Sequence, residues 1–286
     1  MIVANRRRDV SQVYGLPVGL GSQFHMLVSS WLQTLSDDQQ ATTEDLPLRR
    51  DMMTLLTYLR DNRVAGTQAT GNLPLKAVRE ICARFVVPPR LEDKIGGQVF
   101  RVRSETQVWP LLFVHTLASV AGWVRGSSSR RWRLTPLGER FLDAPAPLQV
   151  WLIFTTWWTQ VNWAIAWPWH YGEGHLPAGF TGVTLKRLRS LPAGELVSFE
   201  PFADGLIEDA RLVWPIPDQE RARSILRGLL GSVVIAPLRD FGILAAKYEP
   251  HRTLGPRYQE LSAFQVTPFG RGLLEAIGKA MGEKQP

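Results

Sequence analysis

Apolar positions along the chain fall into runs with two periods, and the order of those runs predicts the elements. Gln23 to Leu35 (QFHMLVSSWLQTL) has helical spacing, and the polar stretch Ser36 to Leu46 breaks it. Leu48 to Asn62 puts Met52, Leu55, Leu56 and Leu59 on one face of a second helix. Val64 to Thr67 is a short β-prone piece, followed by a Gly71-Asn72 turn. Pro74 can open a helix at its first position, running to Phe85. Val86 to Glu105 contains Pro88, Pro89, Gly96 and Gly97 and reads as an irregular excursion. Val108 to Ala121 is helical again and is ended by Gly122. Trp123 to Arg125, Gly126 to Ser129 and Arg130 to Thr135 then read as strand, turn and strand, and Pro136 opens a further helix.

The middle of the chain has a different texture. No Asp, Glu, Lys or Arg occurs between Asp143 and Glu173, and Trp151, Trp157, Trp158, Trp163, Trp167 and Trp169 all lie there. A membrane span would need about 20 predominantly apolar residues. Gln149, Thr155, Thr156, Thr159, Gln160 and Asn162 interrupt this stretch and fall within an arc of about 160° on a helix. The pattern predicts an amphipathic helix joining two domains, with Thr155, Thr159 and Asn162 toward solvent or a partner and Trp158 buried.

One phrase occurs twice. LTPLGERFLDA (Leu134 to Ala144) aligns with VTPFGRGLLEA (Val266 to Ala276), pairing Thr135 with Thr267, Pro136 with Pro268, Gly138 with Gly270 and Leu142 with Leu274. A repeat at this distance predicts a repeated structural unit. The second copy would comprise a helix at Gln219 to Leu230 capped by Asp218, a strand-like Val233 to Ile235, and a hairpin of Ile243 to Tyr248 with Ala263 to Thr267. Its intervening helices read as short or missing.

Helices, a two-stranded hairpin and a closing helix, with the phrase at Leu134 to Ala144, resemble bacterial winged helix-turn-helix proteins. GTQATGNLPLKAVREI (Gly66 to Ile81) is similar to uncharacterised bacterial proteins of winged-helix character. The resemblance covers residues 48–163 and implies a fold, with no reaction and no ligand. The expected class is mainly α with small β hairpins (α+β), as two winged-helix units around a Trp-rich helical middle. The expected organisation is an arm and helix over 1–45, a first winged-helix domain over 46–145, a helical linker over 146–215 and a degenerate second unit over 216–286.

Composition and charge narrow the function. The 286 residues carry 33 basic and 26 acidic side chains, a net charge of +7, which suits an anionic partner. The single cysteine, Cys82, points to a reducing, cytoplasmic setting and reads as a buried core residue. Arg6, Arg7 and Arg8 are not followed by the apolar run of a signal peptide. No phosphate-cradling glycine loop with lysine and no nucleophile elbow is present. His170, Glu173 and His175 are types that suit zinc, but their glycine-rich segment lacks the helical spacing that fixes ligands, so no metal is expected. Asp204, Glu208 and Asp209 read as a solvated helix face. A non-enzymatic protein without a cofactor is the expectation.

The strongest binding signal is the first hairpin. Between Glu105 and Glu139 there is no acidic residue, and Arg125, Arg130, Arg131 and Arg133 cluster there. Arginine binds phosphate bidentately, and a tip serine, Ser128, can donate to phosphate oxygens. Strand alternation turns Arg131 and Arg133 to solvent, with Trp132 and Leu134 inward. These residues predict contact with the backbone of double-stranded DNA. The helix before the hairpin offers only His115, Thr116 and Ser119 as base readers. Further basic spots are Lys186, Arg187 and Arg189, and Arg221, Arg223 and Arg227, the last three a possible extension of the DNA-facing surface. The alternative expectation is a tandem winged-helix adaptor that grips protein partners in a chromosome-organising or defence complex.

Overall fold

A computed structural model describes residues 21–95, 97–163, 176–192, 194–251 and 255–280. Residues 1–20, the first part of the expected arm and helix, lie outside them. The chain divides into two compact units, Met1–Val161 and Asn162–Pro286. Each is helical with a three-stranded antiparallel sheet, and the first has a separate two-stranded one.

The first unit runs α1 (Gly21–Thr34), α2 (Asp37–Glu44), α3 (Pro47–Asp61), β1 (Val64–Ala65), α4 (Leu75–Cys82), β2 (Glu92–Ile95), β3 (Gln98–Arg101), α5 (Trp109–Val120), β4 (Val124–Ser127), β5 (Arg130–Leu134), α6 (Pro136–Leu142) and α7 (Ala146–Gln160). Two expectations are corrected here. The polar stretch after Ser36 is helical: Ser36 and Gln39 form a reciprocal capping box, and Asp37 and Asp38 favour the positive end of the helix. The excursion after Val86 contains a two-stranded hairpin, with Asp93 opposite Phe100 and Glu92 opposite Arg101.

The Trp-rich helix α7 belongs to the first unit and is no linker. Trp151, Phe154, Trp157 and Trp158 are buried, and Trp31 of α1 packs against Trp151 at 5.1 Å. The expected solvent-facing polar arc is also corrected. Thr159 and Asn162 are exposed, but Gln149, Thr155 and Thr156 are buried. Thr155 Oγ1 donates to Trp151 O at 2.8 Å. Gln149 Nε2 donates to Phe141 O at 2.7 Å, while its Oε1 accepts from Arg49 Nε at 2.6 Å. Polar groups satisfied in this way can be buried at little cost, so the helix is enclosed on nearly every side. Among the described residues no helix is long and apolar enough to cross a membrane.

The second unit runs α8 (Phe180–Arg189), β6 (Val197–Ser198), α9 (Phe199–Asp209), α10 (Gln219–Leu230), α11 (Ala236–Asp240), β7 (Leu244–His251), β8 (Gly255–Val266) and α12 (Pro268–Ala280). It begins well before residue 216, and α8 and α9 supply helices expected to be short or missing, with β6 between them. Val233 to Ile235 is a π-helical turn joining α10 to α11, not a strand. β-Branched residues favour strands by propensity, but here all three are fully buried between helices, and packing overrides that weak preference.

The two three-stranded sheets have the same order, β1-β5-β4 and β6-β8-β7. Val64 pairs with Trp132, and Val197 with Phe264, at positions equivalent under the repeated phrase. The hydrogen bonds around that phrase repeat one for one. Thr135 Oγ1 donates to Gly122 O at 2.6 Å and accepts from Gly138 N at 3.2 Å. Thr267 Oγ1 donates to Gly242 O at 2.7 Å and accepts from Gly270 N at 2.9 Å. Gly122 and Gly242 take φ of 70° and 71°, a left-handed turn between helix and strand that glycine adopts freely. Each threonine follows a strand and caps a helix opened by proline. The separation from that glycine to the threonine is 13 residues in the first unit and 25 in the second, so the second hairpin is longer.

Candidate nucleic-acid interface

The β4–β5 hairpin presents its basic side chains as the alternation predicts. Arg125, Arg130, Arg131 and Arg133 are all exposed, while Val124 is buried and Trp132 and Leu134 are half-buried. Arg125 stands directly opposite Arg133, and Arg131 opposite Ala65 of the neighbouring strand. Among the described residues none of the four has a carboxylate within ion-pairing distance. Like charges directly opposed across a ladder are destabilising, so this arrangement is retained at a cost to the fold. Arg63, one residue before β1, is also exposed and lies on the Ala65–Arg131 side by alternation. Sequence reading missed Arg63 because it sits outside the acid-free stretch; only strand pairing brings it alongside.

The hairpin is braced rather than free. Gly126 lies under the Trp132 ring, where a Cβ would meet the indole. Trp132 Nε1 donates to Gly71 O at 2.8 Å. At the tip Ser129 has φ of 56°, and its N–H donates to Gly66 O at 3.2 Å. The Ser128 hydroxyl donates to Gln68 O. Its proton is therefore engaged within the fold, which leaves Ser128 without the donor expected for phosphate.

Below the hairpin lies a buried polar pair that the sequence did not announce. Glu105 is 1% exposed; its Oε2 accepts from Leu73 N at 2.6 Å, and its Oε1 meets His115 Nδ1 at 2.5 Å. His115 stands edge-on to Trp132, with ring centroids 4.3 Å apart. His115 is thus a core residue and not a base reader, because α5 turns that face toward the sheet. Thr116 is half-buried and Ser119 exposed, so α5 offers almost no polar side chain to base edges.

Other candidates separate cleanly. Arg227 binds Asp204 in bidentate fashion at 2.8 and 2.7 Å, and Arg223 binds Glu208 at 2.8 Å. These residues form an ion-pair ladder between α9 and α10; Glu208 and Asp209 are exposed, as a solvated acidic face requires, while Arg223 and Arg227 are engaged by carboxylates and Arg221 is exposed with none at ion-pairing distance among the described residues. The hydrogen bond from Arg227 holds the Asp204 carboxyl below its ordinary value. Arg187 pairs with Asp209. In the β7–β8 hairpin Lys247 pairs with Glu249 at 2.9 Å, and Glu249 stands opposite Glu260, so the second hairpin has no arginine cluster like the first among its described side chains. Burial pushes the Cys82 thiol up to about 12, which fits a core role. His170, Glu173 and His175 lie outside the described residues. Among the described residues no cluster could hold a metal ion.

Charge divides unevenly between the units. Nineteen of the 33 basic and thirteen of the 26 acidic residues precede residue 162, which gives the first unit +6 and leaves +1 for the second. Comparisons with protein-family models, curated proteins and solved structures return no match.

Proposed function

We propose that the chain is a non-enzymatic, tandem winged-helix protein whose first hairpin grips the backbone of double-stranded DNA. The observation that carries this reading is the solvent face where Arg125 stands opposite Arg133, beside Arg131, with no carboxylate at ion-pairing distance among the described residues. A polyanion relieves that repulsion, and each bound phosphate releases condensed counterions. Duplex is favoured over single strand because Trp132 is turned inward and bonded to Gly71 O, leaving no aromatic platform beside the arginines for base stacking. Binding is indifferent to base sequence, since α5 lacks polar readers and base-edge contacts carry sequence information.

Fluorescence anisotropy with two unrelated duplexes tests the reading. The two should bind equally, and both should weaken steeply as salt rises. Binding to one duplex alone, or to neither at low salt, would overturn it. The adaptor reading is favoured by one feature, the absence of any charged side chain on α5, whose exposed end carries Val120 at 41% exposure. A stoichiometric protein partner retained through purification, with no duplex binding, would favour it.

A further inference from the structure

We infer that the second unit carries a binding site for a small amphipathic anion, a carboxylate or phosphate on an apolar body, in the groove between α8, β6 and α9. The groove has a volume of about 600 Å³, within the range of small-molecule sites. Val183, Leu191, Val197, Pro201 and Phe202 give it an apolar lining, and Lys186, Arg187, Ser190 and Asp209 stand at its side, the Asp209 carboxylate engaged by Arg187.

Three observations point to a ligand of this class. First, the groove forms where the repeat diverges. Only residues 62–63 join α3 to β1, whereas residues 190–196 join α8 to β6, a link with no counterpart of that length in the first unit. Second, Arg187 is held in place and is not a loose surface cation. It pairs with Asp209, its guanidinium lies 5.8 Å from the centre of the Phe202 ring, and it occupies the space that a side chain at Gly205 would need. Third, Lys186 is exposed and has no carboxylate at ion-pairing distance among the described residues. Ser190 has its hydroxyl committed to Arg187 O. Lys186 is therefore the groove's available charged donor, set beside an apolar floor. An ammonium on an apolar floor selects a ligand with one anionic head and an apolar tail.

Isothermal titration calorimetry on the full chain, with decanoate, decyl phosphate and decanol below their aggregation limits, tests this. At least one of the two anions should bind at one per chain, and the comparison between them identifies the head group. Decanol should bind about tenfold more weakly, the loss of one charge-assisted hydrogen bond. Lys186→Glu should weaken anion binding by a similar factor, and Lys186→Arg should preserve it. Lys186 is exposed, so folding survives both changes. Equal binding of decanol, indifference to Lys186→Glu, or no saturable binding of either anion would overturn the inference. The site is independent of the DNA reading: Lys186→Glu should leave the salt dependence of duplex binding unchanged, and changes in the first hairpin should leave anion binding unchanged.

Discussion

A single hydroxyl at Thr135 links the turn at Gly122 to the first turn of α6, and Thr267 does the same between Gly242 and α12. Loss of an N-cap costs about 0.5–2 kcal/mol, so Thr135→Ala and Thr267→Ala should each lower stability by that amount in urea titrations. Gly138→Ala and Gly270→Ala should cost more, because a Cβ there would run into the carbonyl of Trp123 or Ile243. Asp204 sets a pH dependence. Its carboxyl titrates below its ordinary value in the fold, so its contribution is present above the ordinary carboxylate range and is lost as pH falls through the lowered value. Asp204→Asn should therefore destabilise by about 1–2 kcal/mol at neutral pH, and the difference from wild type should vanish in acid. A difference that persists unchanged in acid denaturation would contradict the ion pair.

Among the elements, α7 and the β4–β5 hairpin make opposite demands on stability. Trp158 of α7 is 2% exposed, so Trp158→Ala should cost about 3–5 kcal/mol by chemical denaturation. Arg133→Gln, which removes the opposition to Arg125, should leave the denaturation midpoint unchanged or raise it while weakening duplex binding. The helices α3 and α4, each with a clear apolar stripe, and the largely apolar α5 were legible in the sequence, as were the hairpin and the Thr-Pro helix starts. The Thr155 register was not, because buried threonine and solvent-facing threonine read alike until the Trp151 carbonyl that satisfies it is known. Val233 to Ile235 read as a strand because propensity is local and burial is not. Arg223 and Arg227 read as available cations because their partners, Glu208 and Asp204, come from a different helix.

At the scale of the whole molecule, the two units share a strand order and differ in charge. The first unit holds +6 and a face of arginines with no carboxylate at ion-pairing distance among the described residues; the second holds +1, with Arg187, Arg223 and Arg227 paired to carboxylates. The central claim is that the first hairpin binds a phosphate backbone. Anisotropy across a salt series, with the native chain and with Arg131→Gln combined with Arg133→Gln, tests it most directly. Four neutralised phosphates give a slope of log affinity against log salt of about −3.6, so raising salt from about 50 to 200 mM should weaken binding by roughly two decades. The double change should flatten the slope to about −1.8 and weaken two unrelated duplexes equally. A slope that does not move with the double change, or a native chain that fails to bind at low salt, would contradict the account.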